Sequence, residues 1–503
     1  MIDNQLKLER LAESDTTNNS TESGKMPPPL RVILYGSAGT GKSFLIAALR
    51  KLIGEDKCKV MAPTGVAAFN IAGETLHSAL KLNVKFSTTA CTTNADGSTT
   101  SGSSKALSDM QSVWSNVRYI IIDEFSMVGQ RTLAKVHNRL CELFPEEKRD
   151  TLEEGYFGGR SIILVGDVFQ LPPVQDKQLY VFNKNAKDNL TPIGYQVYQS
   201  FKTVVYLNKQ VRQANDTEFA SILESLREGK VTEAIWKTVM DKCQVAAADM
   251  LPLDVDGKCT LLYHTNEDVS NAIVRSCEKL SMITIRQPLT GNNADSSKQK
   301  SETGLARRLF LAIGARVMLT RNLSVQNGLV NGSVGTVRGI CYANGKKPPN
   351  DLPDCVWVEF ERYNGPAMQA MRLTRGDGSS SSSSSSSSEC ASSVSVVPIL
   401  PVSSQWLQRG ASLSRQQFPL RLAWAITIHK SQGLTIDKAF VQLGKGRKSP
   451  PAGLYYTAVS RVRALSDLFV TCCDFVRFQR LFSTGGILAQ VNEQKRLLAL
   501  CEK

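Results

Sequence analysis

Residues Arg31–Ser43 read RVILYGSAGTGKS, an apolar run that breaks into Gly36, Ser37, Ala38, Gly39, Thr40, Gly41, Lys42 and Ser43. Glycines at this spacing let successive backbone N–H groups turn toward one anion, while Lys42 can bridge terminal phosphates and the Ser43 hydroxyl can ligate Mg²⁺. The pattern predicts a buried parallel strand over Val32–Tyr35 and a helix over Phe44–Ile53, whose N-terminal dipole faces the same anion. A ligand-free glycine turn is the plainer alternative. The order of strand, motif and helix favours a nucleotide phosphate cradle, and with it an α/β fold built on a parallel sheet.

Working outward, Lys59–Ala62 reads as a second strand and opens into Pro63, Thr64 and Gly65, followed by a polar turn at Gly73, Glu74, Thr75, Leu76, His77 and Ser78. That turn can present hydroxyl and imidazole groups on one surface, although Thr and Ser are equally ordinary helix caps. From Lys81 to Lys105 the chain turns to Ser, Thr, Gly and Asn, which reads as an insertion. Val117–Ile122 is a near-continuous apolar strand ending in Asp123 and Glu124. In a parallel sheet that edge faces the phosphate loop, so Asp123 can hold Mg²⁺ and Glu124 can polarise an attacking water. A third strand, Ser161–Val165, runs into GDVFQLPP, where the Gln170 amide can sense a terminal phosphate. Arg212 follows the apolar segment Val204–Leu207 as a candidate charge sensor. The helical stretches Phe219–Arg227 and Val269–Leu280 are amphipathic and read mainly as packing.

In the second half, Ala312–Thr320, Val334–Ile340 and Val356–Phe360 have strand character, the latter two as parts of a small β module. Ten serines, Ser379–Ser388, cannot bury apolar surface and read as a disordered loop. Pro419–Ile428 is apolar and ends in His429, Lys430, Ser431, Gln432 and Gly433. Lys430 and Ser431 can hold a backbone phosphate, and Gln432 can reach either nucleotide or strand. Arg461, in YTAVSRVR, is a second candidate finger for a γ-phosphate.

Composition sets the class. The chain has 503 residues, 42% hydrophobic, with no apolar run of the length that spans a bilayer, so a membrane partner is not expected. The first 29 residues are polar and read as a flexible lead-in rather than a targeting segment. A net charge of +14 suits a polyanionic partner once a nucleic-acid motif stands beside it. The twelve cysteines lack metal-ligand spacing and read as reduced thiols. His137 and His264 have no evident ligand partners and read as structural.

Taken together, GSAGTGKS, APTGVAAFNIAGETLHS from Ala62, IIDEFSMV from Ile121, FGGRSIILVGDVFQLPPV from Phe157, VRQ from Val211, GLVNGSVGTV from Gly328, AITIHKSQGLTID from Ala425 and AVSRVR from Ala458 resemble the Pif (petite integration frequency) family of DNA helicases. This family lies in the RecD-like branch of superfamily one, and the chain is also similar to helicase domains of rolling-circle (Helitron-type) transposons. The resemblance implies two RecA-like P-loop domains that close on ATP, over residues 30–206 and 207–503, after the lead-in 1–29. It also implies a small wedge insertion near 81–112 and a β-barrel-like one near 335–418. Carried over motif by motif, residues 36–43 bind the nucleotide and Lys42 and Ser43 its phosphate and Mg²⁺. Asp123 then takes the metal, Glu124 the water and Gln170 the γ-phosphate, with Arg212 and Arg461 completing the charge cage. Thr64, Gly65, Thr75, His77, His429, Lys430 and Ser431 match positions that line the family's single-strand channel. The implied activity is ATP-driven 5′ to 3′ translocation and unwinding by a monomeric motor on single-stranded and forked DNA. Nuclear replication, repair, recombination or telomere upkeep is the expected setting, with mitochondria as a second location. A weakened single-strand-binding remnant of a transposon helicase is the alternative. No convincing match to the family's adenine-recognising glutamine motif is expected upstream, where Gln5 stands in a polar stretch.

Overall fold

The computed structural model describes residues 2–17, 27–82, 102–145, 151–245, 259–277, 283–286, 308–324, 326–342, 351–361, 363–366, 396–408, 411–444 and 450–502. Its chain contacts divide it into two compact units, Met1–Val245 with Ser431–Lys503, and Ala246–Lys430. The contact boundaries therefore fall elsewhere than the expected boundary at 206/207. The helices Thr217–Arg227 and Glu233–Cys243 and the C-terminal helix Ile487–Cys501 belong to the first unit.

The first unit is organised by six parallel strands: β1 (Arg31–Gly36), β2 (Cys58–Ala62), β3 (Glu74–Thr75), β4 (Tyr119–Ile122), β5 (Ser161–Gly166) and β6 (Thr203–Leu207). Their order across the sheet is β3-β2-β4-β5-β1-β6. Alternate residues of each central strand enter opposite cores. Ile33, Tyr35, Ile120, Ile122, Ile162 and Leu164 pack with Met110, Trp114, Leu133 and Leu140 on one side. Val32, Leu34, Tyr119, Ile121, Ile163 and Val165 pack with Ile46, Leu49 and Ile53 on the other. Burial on both faces is why these strands read as unbroken apolar runs instead of an alternating pattern. Because the strands are parallel, the loops that follow β1, β4 and β5 leave from one edge of the sheet, where crevices form.

Two expectations about this unit are corrected. Residues Ile2–Thr17 of the supposed flexible lead-in form a helix, α1, whose Ile2, Leu6 and Glu9 fall on one face at helical spacing. Leu6 is buried against β1 and its neighbours, Gln5 Nε2 donates to the Pro28 carbonyl at 3.0 Å, and Tyr119 Oη donates to Glu9 at 2.9 Å. The expected insertion near 81–112 is also only partly an excursion. Residues 83–101 lie outside the described residues, but Gly102–Trp114 is a helix that sinks Met110 and Trp114 into the sheet's core.

The second unit is mostly antiparallel. Its five-stranded sheet runs Val397–Ile399, Cys355–Phe360, Val334–Cys341, Arg316–Leu319, Leu420–Leu422, so it starts before the expected β insertion and ends after it. Val317, Leu319, Val337, Val356, Val358, Leu420 and Trp424 fill its core. A hairpin, Val402–Gln408 with Ala411–Gln417, extends from it in sequence. The serine tract lies outside the described residues. Parallel pairing recurs in Ala425–Thr427 with Cys259–Tyr263 here, and in Lys438–Val441 with Leu468–Val470 in the first unit. The fold class is thus α/β with parallel sheets and an inserted β module, as the motif order predicted. Among the described residues, no helix is long and apolar enough to cross a membrane.

Candidate functional site

The phosphate loop joins β1 to α2 (Lys42–Ile53). Gly39 has φ +88°, a left-handed conformation that glycine enters freely, and a Cβ there would stand 2.6 Å from Arg212 Cβ. The close approach has a cause: the backbone N–H groups of Val211 and Arg212 both donate to the Gly39 carbonyl, at 2.9 and 3.1 Å. Lys42 Nζ donates to the carbonyls of Gly36 (3.0 Å) and Ser37 (2.7 Å), and Thr40 Oγ1 donates to Ser37 O. Burial lowers the Lys42 pKa, and the charges of Asp167, Glu124 and Asp123 oppose that fall. Ala38 N–H donates to Tyr456 Oη at 3.3 Å.

A cavity of about 500 Å³ opens over this loop. Lys42, Ser43, Asp123, Glu124, Gln170, Arg212 and Arg461 all line it, so the predicted catalytic residues meet in one place. Of the predicted loop residues, Ala38, Gly39 and Gly41 line it too, while Gly36, Ser37 and Thr40 support the loop from beneath through the contacts above.

Asp123 and Glu124 follow β4. Burial and then the neighbouring Glu124 push the Asp123 carboxyl up to about 7. Glu124 sits at φ +51°, sparsely populated for a residue with a Cβ, and strain of this kind clusters at functional sites. No ion pair neutralises either carboxylate among the described residues. Gln432 Nε2 donates to Glu124 Oε2 at 3.0 Å. The Ser43 hydroxyl and Asp123 carboxylate are hard oxygen donors on one cavity, a set that suits Mg²⁺ shared with phosphate oxygens. Among the described residues no cluster of three His, Cys, Asp or Glu side chains could hold a metal alone.

Gln170 is 2% exposed, and its Oε1 has no hydrogen-bond partner among the described residues. An orphaned amide oxygen on a polar cavity is a poised ligand contact. Arg212 Nη1 donates to Ser460 O at 2.9 Å, and burial followed by repulsion from Arg461 draws its pKa down to about 9. Arg461 is 1% exposed and donates from Nε to Thr457 O (2.7 Å), from Nη2 to Ser460 Oγ (2.8 Å) and from Nη1 to Leu434 O (3.4 Å). These bonds fix a guanidinium whose burial lowers its pKa and which faces the cavity.

The predicted strand-binding residues divide by role. Thr64 Oγ1 accepts from Ala67 N–H and caps the helix Gly65–Asn70, and Thr75 Oγ1 accepts from Ser78 N–H and caps Leu76–Ala79. Both are therefore structural caps, and the pairing of Ala62 with Thr75 makes them neighbours at one sheet edge. Gly65 begins the first of these helices, and His77 is exposed on the second. Ser431 is fully buried in the first unit. His429 and Lys430 close the second unit; burial, then Arg421, lowers Lys430 to about 8.

Sequence reasoning passed over three groups. Asp167, directly after β5, is fully buried and pairs with Arg227 at 3.1 Å, accepts from Phe169 N–H and receives the Tyr456 hydroxyl at 3.3 Å. Arg227 also bonds Tyr35 Oη and lies over the Phe169 ring, so the helix read as packing carries the partner of a buried charge. Asn70 Nδ2 donates to the Gly433 carbonyl at 2.9 Å. The position of Asp167 at the end of an apolar strand was the available signal; its partners lie too far along the chain to be read locally. His137 behaves as expected, accepting from Phe157 N–H while burial lowers its pKa to about 4.

Known proteins share both the motifs and the fold. The family model of PIF1-like helicases matches residues 17–236, and that of the DNA helicase Pif1 2B domain matches residues 303–340. The ATP-dependent DNA helicase PIF1 of Danio rerio is 29% identical over 476 residues, covering 92% of this chain and 61% of the relative. That of Homo sapiens is 29% identical over 450 residues, covering 88% and 58%. The chain thus spans about three fifths of the length of these relatives. The crystal structure of Pif1 helicase from Candida albicans matches with a TM-score of 0.66 at 22% identity, over 97% of this chain and 98% of that one. Pif1 helicase from Bacteroides in complex with ADP-AlF3 and ssDNA matches with a TM-score of 0.62 at 22% identity, over 97% of each. The likeness to the solved structures establishes a shared fold, and with the two matching family models and the relatives along most of its length, the chain belongs to the family of PIF1-like helicases.

Proposed function

We propose that this protein is an ATP-dependent DNA helicase that translocates 5′ to 3′ on single-stranded DNA and unwinds duplex ahead of it. The observation that carries the reading is the single cavity lined by Lys42, Ser43, Asp123, Glu124, Gln170, Arg212 and Arg461. The Bacteroides relative binds ADP-AlF3 and ssDNA, and the vertebrate relatives are named as ATP-dependent DNA helicases, which supports the same use here. In this reading, residues 36–43 bind the triphosphate. Mg²⁺, held by Ser43 and Asp123, would draw charge from the phosphate oxygens. Glu124 accepts a proton from the attacking water, Gln170 orients around the γ-phosphate, and Arg212 and Arg461 balance the charge that develops.

Gly65 and His77 would contact the strand, chiefly at its backbone phosphates, from the two short helices that Thr64 and Thr75 cap. Such contacts make translocation tolerant of sequence and sensitive to salt. Opening a base-pair step costs about 1.4 kcal/mol, well within one ATP cycle. The reading extends to a monomeric motor working in the nucleus on replication, repair, recombination or telomere substrates. The meeting of the motif residues on one cavity supports the active reading over the inactive-remnant alternative.

The deciding experiment pairs ATP turnover, with and without single-stranded DNA, with unwinding of duplexes bearing a 5′ or a 3′ tail. DNA-stimulated turnover with unwinding from the 5′ tail is expected. Unwinding only from the 3′ tail overturns the polarity, and DNA binding without turnover overturns the helicase.

A further inference from the structure

Residues Ser431–Ile436 bond two residues of the cavity that hydrolysis would use, Glu124 and Arg461. Gln432 is 3% exposed, and its Nε2 donates to Glu124 Oε2 at 3.0 Å and approaches Ser126 Oγ at 3.5 Å. The next residue, Gly433, sits at φ +81° and offers its carbonyl to Asn70 Nδ2 at 2.9 Å. Asn70 ends the short helix that Thr64 caps. One residue on, Leu434 O accepts from Arg461 Nη1, Thr435 lines the cavity, and Ile436 N–H donates to Arg461 O at 3.0 Å. In the sequence, His429 and Lys430 immediately precede this turn.

We propose that Gln432 is a positioning residue: its side-chain amide sets the direction of the Glu124 carboxylate, and the Gln432–Gly433 turn carries strand occupancy to that carboxylate. The inference deepens the helicase reading and rests on it. Three features make the amide suited to the task. Glu124 itself stands in the left-handed region, just before the 3-10 turn Phe125–Met127, and its side chain needs a partner to choose a rotamer. The amide is buried, so the bond it makes is stronger than the same contact in water and costly to leave unmade. The turn that carries the amide is held from two sides, by Asn70 on the helix beginning at Gly65 and by Arg461. A shift of that short helix therefore moves Gly433, and with it Gln432, relative to the end of β4. Glutamine supplies a donor without charge, so it can aim a carboxylate without neutralising it as lysine or arginine would.

The test compares full-length wild type with Gln432→Met, which keeps length and apolar stem and removes the donor. Gln432→Ala is a second variant in case the thioether packs badly. ATP affinity, read as KM and by titration with a fluorescent ATP analogue, should stay within about threefold. At saturating single-stranded DNA, kcat should fall at least tenfold; turnover without DNA should fall by a smaller factor, so that the ratio of the two falls at least threefold. DNA affinity, read by anisotropy of a labelled oligonucleotide, should change by less than about threefold. A stimulated kcat within twofold of wild type overturns the proposal. So does an equal fall with and without DNA, which would make Gln432 a general structural support. If wild type itself shows no DNA-stimulated turnover, it is the helicase reading that fails, and the variants are not needed to show it.

Discussion

Two strand ends in the same sheet carry the same signature and meet different fates. β4 is followed by Asp123 and Glu124, and β5, its neighbour, by Asp167. Each acid follows a buried apolar strand and leaves from the edge that faces the phosphate loop. Asp167 is consumed by its surroundings: the Arg227 guanidinium, the Phe169 N–H and the Tyr456 hydroxyl occupy its oxygens, and it has no exposed surface. Among the described residues, the Asp123 and Glu124 carboxylates accept from the Glu124 N–H and the Gln432 amide, and both residues line the cavity. The strand-end acid alone therefore does not mark a catalytic group. What marks it is the absence, among the described residues, of a cation that already satisfies it.

The largest effect expected is chemical and falls on the open station. Glu124→Gln keeps shape and removes the proton acceptor, so DNA-stimulated kcat should drop by about 10³, within the range for loss of a general base, while thermal unfolding stays close to wild type. A drop of less than tenfold would remove Glu124 from the role of base and break the contrast. Arg461→Ala should cost a factor of about 10³ or more if its guanidinium meets developing phosphate charge.

On the closed station the expected loss is stability. Asp167→Ala leaves Arg227 buried without its carboxylate, a change that costs about 3–5 kcal/mol. A lowered thermal midpoint and a smaller soluble yield should result, whereas an Arg227→Met/Asp167→Leu double variant should recover much of the loss. Catalytic collapse at normal stability would mean that Asp167 acts in the chemistry after all.

The acidity of the open station gives a third measurement. The Asp123 carboxyl has its folded pKa raised from an ordinary 3.8 to about 7, so between those values the folded protein binds a proton that the unfolded chain has released. Asp123 therefore makes stability fall as pH rises from about 4 to 7. His137, held down near 4, acts in the opposite sense from about 4 to its ordinary 6.5, so total stability is the wrong readout. The difference between Asp123→Asn and wild type isolates the effect: the variant should gain on wild type as pH rises through this window. Adding Mg²⁺ and nucleotide should shrink the gain, because a divalent cation competes with the proton.

How much of this was legible in the chain follows from range. The cradle, Asp123–Glu124, Gln170 and five of the six strands were readable because each motif is set by neighbours within a few residues; β3, two polar residues long, read as a turn. The helix α1 was missed because, among the described residues, few apolar side chains commit it to the core: Ile2 and Leu6, beside the polar Gln5 and Glu9. The partners that separate the two acids act over long distances: Arg227 lies 60 residues from Asp167, Tyr456 lies 289 from it, and Gln432 lies 308 from Glu124. No local pattern distinguishes an arginine that will neutralise a strand-end carboxylate from one on a solvated helix face. The division into caps and contacts was equally hidden, since Thr64 and Thr75 suit both roles and only the hydrogen bonds to Ala67 and Ser78 assign the first.

The smallest effect expected is the most specific, because one hydroxyl joins the closed station to the cradle. Tyr456 Oη accepts from Ala38 N–H and donates to Asp167 Oδ2, both at 3.3 Å. Tyr456→Phe removes these bonds and leaves a buried N–H unpaired, at a cost of about 1–2 kcal/mol. If the closed station is scaffolding, that cost should appear as a modest fall in the thermal midpoint, with ATP KM and stimulated kcat each within about threefold. The phosphate loop would still be fixed by Lys42 and by the bonds from Val211 and Arg212 to Gly39. A tenfold or larger loss of kcat at unchanged stability would mean that the hydroxyl transmits more than support. Asp167 and Asp123 would then be two ends of one catalytic network, and burial would no longer separate the acid that holds the fold from the acid that works in it.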